Sequence, residues 1–232
     1  MKVLGIETAT AVCAAALVHH GRLVAEASFN EKKVHAEKLV PLIDSVLREA
    51  EITLSDIEGI AVSIGPGSFT GLRIGLSVAK GLAFGSSKPI IAVPTLQALA
   101  HRLVDSFVVG SSTFILAALD ARRDEVYCQL WGVDEGTLVP QWDARDMTVS
   151  ALLHELGDRE VILTGDGSAK ILAVTNGLGQ NARFKFIGDD LAQCSAGSVA
   201  CIGESLLEQG KTDDPATLEP RYIKDFFLKK HS

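Results

Sequence analysis

The order in which apolar runs appear along the chain restricts its fold more than any single motif does. The first three runs, at 2–6, 12–18 and 23–29, are joined by short turns and predict an antiparallel meander of three strands. Helical and strand patterns then alternate, beginning with an amphipathic helix over 36–50. The order β-β-β-α-β-α-β-α is typical of a ribonuclease-H-like lobe, because a Rossmann unit would alternate from its first strand.

A looser version of the same pattern begins in the second half of the chain. An apolar run at 114–119 ends in Asp120, just as the first run ends in Glu7, and another strand pattern follows after a short turn. A last helix is predicted over 195–209. The repeat indicates two related lobes rather than one large sheet.

We therefore predict an α/β protein of two ribonuclease-H-like lobes. The predicted domains are residues 1–108 and 109–232, and the last helix could pack back on the first lobe. No apolar run approaches the roughly 20 uncharged residues that span a bilayer. Glu7 interrupts the first run too early for a signal peptide, so we expect a cytoplasmic protein without membrane association.

Charge and cysteine spacing argue against two classes of function. The net charge is −7, whereas a chain that grips nucleic acid alone usually carries a basic surface. Any contact with RNA is therefore expected through another protein. The four cysteines form no CxxC pair, and they are expected to be free thiols rather than zinc ligands.

Acidic residues at the ends of predicted strands are candidates for a nucleotide cleft. In two-lobed kinases such acids face each other and hold hydrated Mg²⁺ beside phosphates. Glu7 and Asp120 fit this pattern, with Asp166 as a third candidate. The alternative is that these are polar residues that cap turns at strand ends, and the sequence leaves both interpretations open.

The segment G-P-G-S-F-T-G-L-R-I-G at 65–75 predicts a sharp turn from a strand into a helix. It lacks the lysine of a Walker A loop. Gly65 and Gly67 permit positive φ, and Ser68 or Thr70 can cap the helix. Free amides in such a turn could also hold a phosphate. The candidate nucleotide cleft therefore comprises Glu7, Thr8, Gly65, Gly67, Ser68, Asp120 and Asp166.

Small residues form two stripes along the helix that follows this turn. One stripe contains Gly71, Gly75 and Ala79, and the other contains Ser77, Gly81 and Gly85. Each interior glycine costs about 1 kcal/mol relative to alanine, which indicates that another backbone comes close. That neighbour could be the lobe's own sheet or a helix of another chain, and we expect a partner helix on at least one stripe.

We select one set of residues as the candidate docking surface, drawn from this helix and the amphipathic helix before it. The set is Leu39, Ile43, Leu47, Gly71, Arg73, Gly75 and Ala79. Gly75→Leu is expected to block pairing while leaving the monomer folded. No metal or catalytic residue is predicted, because no histidine has a second histidine or a cysteine at i+3 or i+4 and no nucleophile–base pair stands out.

Several segments resemble the bacterial TsaB (YeaZ) family. They are G-I-E-T-A-T at 5–10, the glycine-rich segment at 65–75, P-T-L-Q-A-L-A at 94–100, D-A-R-R-D-E-V-Y at 120–127 and E-P-R-Y-I at 219–223. The resemblance implies the actin-like ATPase (ASKHA) superfold, which is built from two such lobes. It also implies a role in making threonylcarbamoyladenosine in tRNA. It also implies that catalysis belongs to a paralogue, TsaD, which binds a metal through an H-x-x-x-H motif. Here His35 is present but the second histidine is Leu39, so the resemblance implies no catalytic metal.

The same resemblance implies partners and a non-catalytic role. TsaB is expected to pair with TsaD through helices of the first lobe, to be joined by the ATPase TsaE, and to form a homodimer when alone. No intrinsic cofactor is expected, although ATP or ADP with Mg²⁺ could bind at a partner interface. Two rival functions are a free-standing ATPase or phosphotransferase that uses Glu7, Asp120 and Asp166, and a peptidase. The lack of a metal pair or a nucleophile–base motif argues against the peptidase.

Overall fold

The computed structural model describes residues 1–31, 34–106, 113–179 and 183–224. Within these residues, no helix combines the length and the apolar character needed to cross a membrane. The predicted lobe boundary at residue 108 lies outside the described residues, and it stays a prediction.

The first sheet has the strand order β3-β2-β1-β4-β5. β1 pairs antiparallel with β2 and β2 pairs antiparallel with β3, whereas β4 lies parallel to β1 and to β5. The predicted meander followed by parallel crossovers is thus confirmed. Its elements are β1 Lys2–Glu7, β2 Val12–His19, β3 Arg22–Asn30, α1 His35–Glu49, a 3-10 turn Leu54–Asp56, β4 Gly59–Gly65, α2 Phe69–Ser86, β5 Ile90–Pro94 and α3 Thr95–Ser106.

The second sheet repeats this arrangement in the order β8-β7-β6-β10-β11, with β9 paired to the other part of β7. β6 is antiparallel to β7 and parallel to β10, just as β1 is antiparallel to β2 and parallel to β4. Three elements were not predicted: β9, α5 and β11. The elements are β6 Phe114–Asp120, β7 Glu125–Asp134, β8 Thr137–Pro140, β9 Arg145–Thr148, α4 Val149–Leu156, β10 Val161–Thr164, α5 Ser168–Gly177, β11 Phe184–Phe186 and α6 Ala196–Glu208.

Two helices join the lobes into one structure. α6 comes last in the chain but packs on the first sheet, where glycines permit a close approach. A Cβ added at Gly203 would lie 2.3 Å from Ala61 Cβ, and one added at Gly5 would lie 2.2 Å from Ala196 O. α3 buries its apolar side against β6 and β7 of the second sheet.

Candidate functional site

The glycine-rich loop between β4 and α2 packs against the turn that follows β1. The Ser68 amide donates to Ala9 O at 2.6 Å. A Cβ at Gly67 would lie 2.3 Å from the same oxygen, and one at Gly71 would lie 2.1 Å from Thr8 O. These glycines are therefore required by the chain's own backbone. Ser68 caps α2, because its Oγ accepts from the Gly71 amide at 3.2 Å.

The start of the loop is covered by the end of the described chain. Gly65 has φ of +117°, and a Cβ there would lie 2.5 Å from Arg221 O. The Arg221 amide donates to Ile64 O at 2.7 Å. A cavity of about 10 Å³ remains beside Pro66 and Gly67. That volume fits roughly one water, whereas small-molecule pockets typically enclose about 300–1,000 Å³.

Glu7 is fully buried at the end of β1. Its Oε1 accepts from the Ala9 amide at 2.5 Å, and its Oε2 has no partner among the described residues. Burial raises the pKa of Glu7 to about 7, and hydrogen bonds from Ala9, Ser63 and Thr8 oppose this only in part. The Glu7 side chain therefore faces the protein interior rather than solvent.

The acids of the second lobe lie together, but they are engaged by neighbouring groups. The Asp120 amide donates to Asp166 Oδ1 at 2.8 Å. Lys170 Nζ donates to Asp120 Oδ1 at 2.5 Å, and the Arg122 amide donates to the same oxygen at 2.7 Å. Burial, followed by the charge of Asp120, raises the pKa of Asp166. Both carboxylates thus accept hydrogen bonds from backbone amides, as the turn-capping interpretation requires, and Lys170 pairs with Asp120.

The two lobes approach each other around the buried Cys194. Burial, and then the charges of Glu7 and Asp166, raise the pKa of this thiol. Burial is also the first cause that raises the pKa of the thiols of Cys13, Cys128 and Cys201. A thiol with a raised pKa is a poor nucleophile, so these cysteines do not support a peptidase.

His35 is held in the protein interior rather than presented to a metal. Its Nε2 lies 3.0 Å from Thr10 O and 3.2 Å from Val12 O. Because both neighbours are carbonyl oxygens, Nε2 must carry the hydrogen and donate. Leu39 one turn later is fully buried in the first core. Among the described residues, no group of three or more His, Cys, Asp or Glu side chains could hold a metal ion.

Most of the predicted docking residues face the interior of the first lobe and not the solvent. Gly71 and Gly75 are buried against the turn that follows the chain's own first strand, and Ala79 is buried in the first core. A Cβ at Gly75 would lie 2.1 Å from Thr8 Oγ1. The prediction that Gly75→Leu leaves the monomer folded is therefore wrong, because that side chain has no room inside the lobe.

The part of the surface predicted on α1 requires the same correction. Leu39 and Ile43 are buried in the first core, and Leu47 packs partly buried against it. These apolar positions recur at helical spacing because they face β2 and β3, not a partner. Of the predicted docking residues, only Arg73 is exposed.

The second small-residue stripe lies on the outside of α2. A Cβ added at Gly81 or Gly85 would meet nothing within 4 Å in the described structure. Beside this stripe lies a groove of about 470 Å³. Its lining residues, all on α1 and α2, are Ala36, Phe69, Thr70, Arg73, Ile74, Ser77 and Val78. We call this surface the docking groove.

Two large apolar side chains are exposed on the helices that line the docking groove. Val40 on α1 is 57% exposed and Phe84 on α2 is 88% exposed. Sequence reasoning found the stripe that contains Ser77, Gly81 and Gly85 but did not place it among the candidate residues. The signal that could have separated the stripes is polarity, because Ser77 and Arg73 mark the outer side of α2.

These features define a two-lobed α/β protein of the actin-like ATPase fold. A family model described as "TsaD: tRNA N6-adenosine threonylcarbamoyltransferase" matches residues 22–225. The TsaB protein of Buchnera aphidicola is 33% identical over 177 residues, which are 73% of this chain and 80% of the relative. That of Escherichia coli K12 is 29% identical over 228 residues, 97% of this chain and 95% of the relative. The chain belongs to this family, and within it to the TsaB (YeaZ) proteins.

Similar structures support the same assignment. YeaZ from Pseudomonas aeruginosa superimposes with a TM-score of 0.77 at 26% identity, covering 95% of this chain and 99% of that one. An activator of 2-hydroxyisocaproyl-CoA dehydratase from Clostridium difficile, with bound ADPNP, has a TM-score of 0.53 at 11% identity, covering 92% and 99%. The latter likeness shows the fold alone.

Proposed function

We propose that this protein is a non-catalytic subunit for the biosynthesis of threonylcarbamoyladenosine in tRNA. It docks the catalytic paralogue TsaD through the docking groove, and the ATPase TsaE joins the pair. The observation that carries this proposal is the exposed apolar groove on the outside of α1 and α2. The names of the TsaB relatives supply the pathway.

The docking groove suits a helix as its occupant. Ser77, Gly81 and Gly85 carry small or no side chains, so a second backbone can come close. Val40 and Phe84 offer apolar area that a partner would remove from water. Burying such area contributes about 25 cal/mol per Å². Exposed apolar area beside a groove is typical of a protein–protein contact surface.

TsaD is the partner that this surface favours. The family model that matches this chain is named for TsaD, and its match includes both α1 and α2. A TsaD chain is therefore expected to carry a related helix pair, and two related pairs can associate about an approximate twofold axis. For the same reason a second copy of this chain can occupy the groove, which gives a homodimer when TsaD is absent.

The state of the cleft supports assigning the chemistry to the partner. The cavity beside the glycine-rich loop has room for about one water, and Lys170 pairs with Asp120. The net charge of −7 favours contact with tRNA through the complex. No intrinsic cofactor is needed, although a nucleotide with Mg²⁺ could bind where a partner supplies further ligands. The cysteines are free thiols, as is usual in the cytoplasm, where we place the protein.

Docking is tested by filling the groove with a large side chain. Ser77→Trp should weaken the affinity for purified TsaD by at least about tenfold, since a ring at the centre of an interface displaces the partner. Ser150→Trp places the same change at an exposed position of α4 and should leave the affinity unchanged. Calorimetry measures both, with thermal unfolding as the control for folding. Unchanged affinity in Ser77→Trp would refute the docking groove.

The non-catalytic role is tested by reconstitution. TsaD, TsaE, tRNA, threonine, bicarbonate, ATP and the enzyme that makes the adenylate are mixed with and without this chain. Omission should abolish modification of the tRNA, while the chain alone should neither bind Mg·ATP in a calorimeter nor hydrolyse it. Brisk ATP turnover by the isolated chain would instead establish the free-standing ATPase.

A further inference from the structure

The end of the described chain crosses from the first lobe to the second. We call residues 218–224 the strap. Leu218 packs against the first core, and the Arg221 amide donates to Ile64 O at 2.7 Å. Lys224 then forms an ion pair with Glu125 and lies 3.6 Å from an Asp146 oxygen, both in the second lobe. The strap therefore connects β4 with β7 and β9.

Between these two attachments, the strap contacts the end of the docking groove. The rings of Tyr222 and Phe69 lie 5.2 Å apart. Arg73 Nε donates to the Tyr222 hydroxyl at 3.1 Å, and the Arg73 guanidinium lies over the Phe69 ring at 3.8 Å. Phe69 and Arg73 both line the docking groove, whereas Tyr222 does not. Tyr222 thus contacts two groove residues from outside the groove.

These contacts restrict the Arg73 side chain. Arginine loses up to about 2 kcal/mol of rotamer entropy when it is fixed. Stacking on Phe69 and the hydrogen bond to Tyr222 impose much of that restriction before any partner arrives. A surface that is ordered in advance binds more tightly, because less ordering remains to be done on binding.

We propose that Tyr222 is a positioning residue of the docking groove: it holds Arg73 and Phe69 in the arrangement that receives the partner. Lys224 links that arrangement to the second lobe. The inference rests on the proposed docking function, and it adds a role for the segment E-P-R-Y-I that the docking groove alone does not use. It requires that the tyrosine hydroxyl acts through Arg73 and not through overall stability.

A double-mutant cycle on partner affinity tests this coupling. Tyr222→Phe keeps the ring and removes only the hydroxyl, so the Kd for TsaD should rise roughly three- to tenfold with little change in Tm. In an Arg73→Met background the same substitution should have no further effect. Equal effects in both backgrounds, or no effect of Tyr222→Phe, would overturn the proposal. The proposal would also be overturned if Tyr222→Phe lowered the Tm so far that partial unfolding fully accounted for the weaker binding.

The Ser77→Trp variant distinguishes failure of this inference from failure of the docking groove. If Ser77→Trp weakens binding and Tyr222→Phe does not, only the positioning role is wrong. If neither variant weakens binding, the groove is not the docking surface and both proposals fall.

Lys224→Met tests the link to the second lobe. Hydrogen exchange at the Arg221 amide should accelerate, and the Kd for TsaD should rise roughly threefold. Lys185→Met, at an exposed position of β11, should change neither. Faster exchange at Arg221 with an unchanged Kd would show that the strap is structural only.

Discussion

Replacing Glu7 by glutamine should stabilise the protein at neutral and alkaline pH. The glutamate side chain is fully buried, and burial raises its pKa from 4.5 to about 7 in the folded state. Glutamine has nearly the same shape, can accept from the Ala9 amide, and never ionises. The substitution therefore removes the free energy of holding a carboxylate in the interior and keeps the local hydrogen bond.

The sign and size of this stabilisation follow from the pKa values of Glu7 in the unfolded and folded states. The folded pKa is raised, so the contribution of Glu7 is fully present below about pH 4.5 and is lost as pH rises through about 7. The difference between the folded and unfolded pKa values of Glu7 corresponds to roughly 3 kcal/mol in the free energy of unfolding. The free energy of unfolding of Glu7→Gln minus that of the native chain should rise between these pH values and then reach a plateau.

Urea denaturation across pH 4 to 9 measures that difference directly, and other titrating groups cancel because they are common to both chains. Glu49→Gln, the same change at an exposed position on α1, controls for the loss of a surface carboxylate. A difference that stays flat with pH would contradict the buried, protonated carboxyl. A difference that falls as pH rises would show that Glu7 is held as an anion in the folded protein.

Two further predictions test the packing itself. Gly75→Ala should destabilise the fold by about 2 kcal/mol or more, because its Cβ would meet Thr8 Oγ1 at 2.1 Å, whereas Gly81→Ala should stabilise it by up to about 1 kcal/mol. Urea denaturation compares the two, and equal effects would contradict the assigned faces of α2. Of the four thiols, the partly exposed Cys201 should react first with a thiol reagent in the native protein. Equally fast labelling of Cys194 would contradict the closed contact between the lobes.

The order of elements could be predicted from sequence because each element carries its own local pattern. Leu39, Leu42, Ile43 and Val46 recur at helical spacing, and all four are buried as that pattern requires. The unpredicted elements lack such a signal. β11 has three residues and β9 has four, and all four residues of β9 are only partly buried. Strands this short are defined by their partners rather than by their own composition.

The spacing of the small residues could not assign the faces of α2, because the two stripes have the same spacing, and only the polar Arg73 and Ser77 mark the outer side. The inward stripe is determined by the turn after β1, where Thr8 occupies the space beside Gly71 and Gly75. That contact joins residues far apart in sequence, and the spacing of the glycines does not specify it. The strap was missed for a related reason. It has no periodic pattern, and Tyr222 meets Arg73 only after the whole chain has folded.

The outward glycines supply the strongest physical argument for a partner. Gly75 lowers the helical propensity of α2, but the close contact with Thr8 compensates within the chain. Gly81 and Gly85 lower it by about 1 kcal/mol each, and the described structure places nothing within 4 Å of where their side chains would be. Among the described residues, therefore, no contact compensates for these two glycines. A partner helix that lies in the docking groove and along this face of α2 would provide that compensation. A second backbone can approach α2 closely at Gly81 and Gly85 because these residues have no side chain.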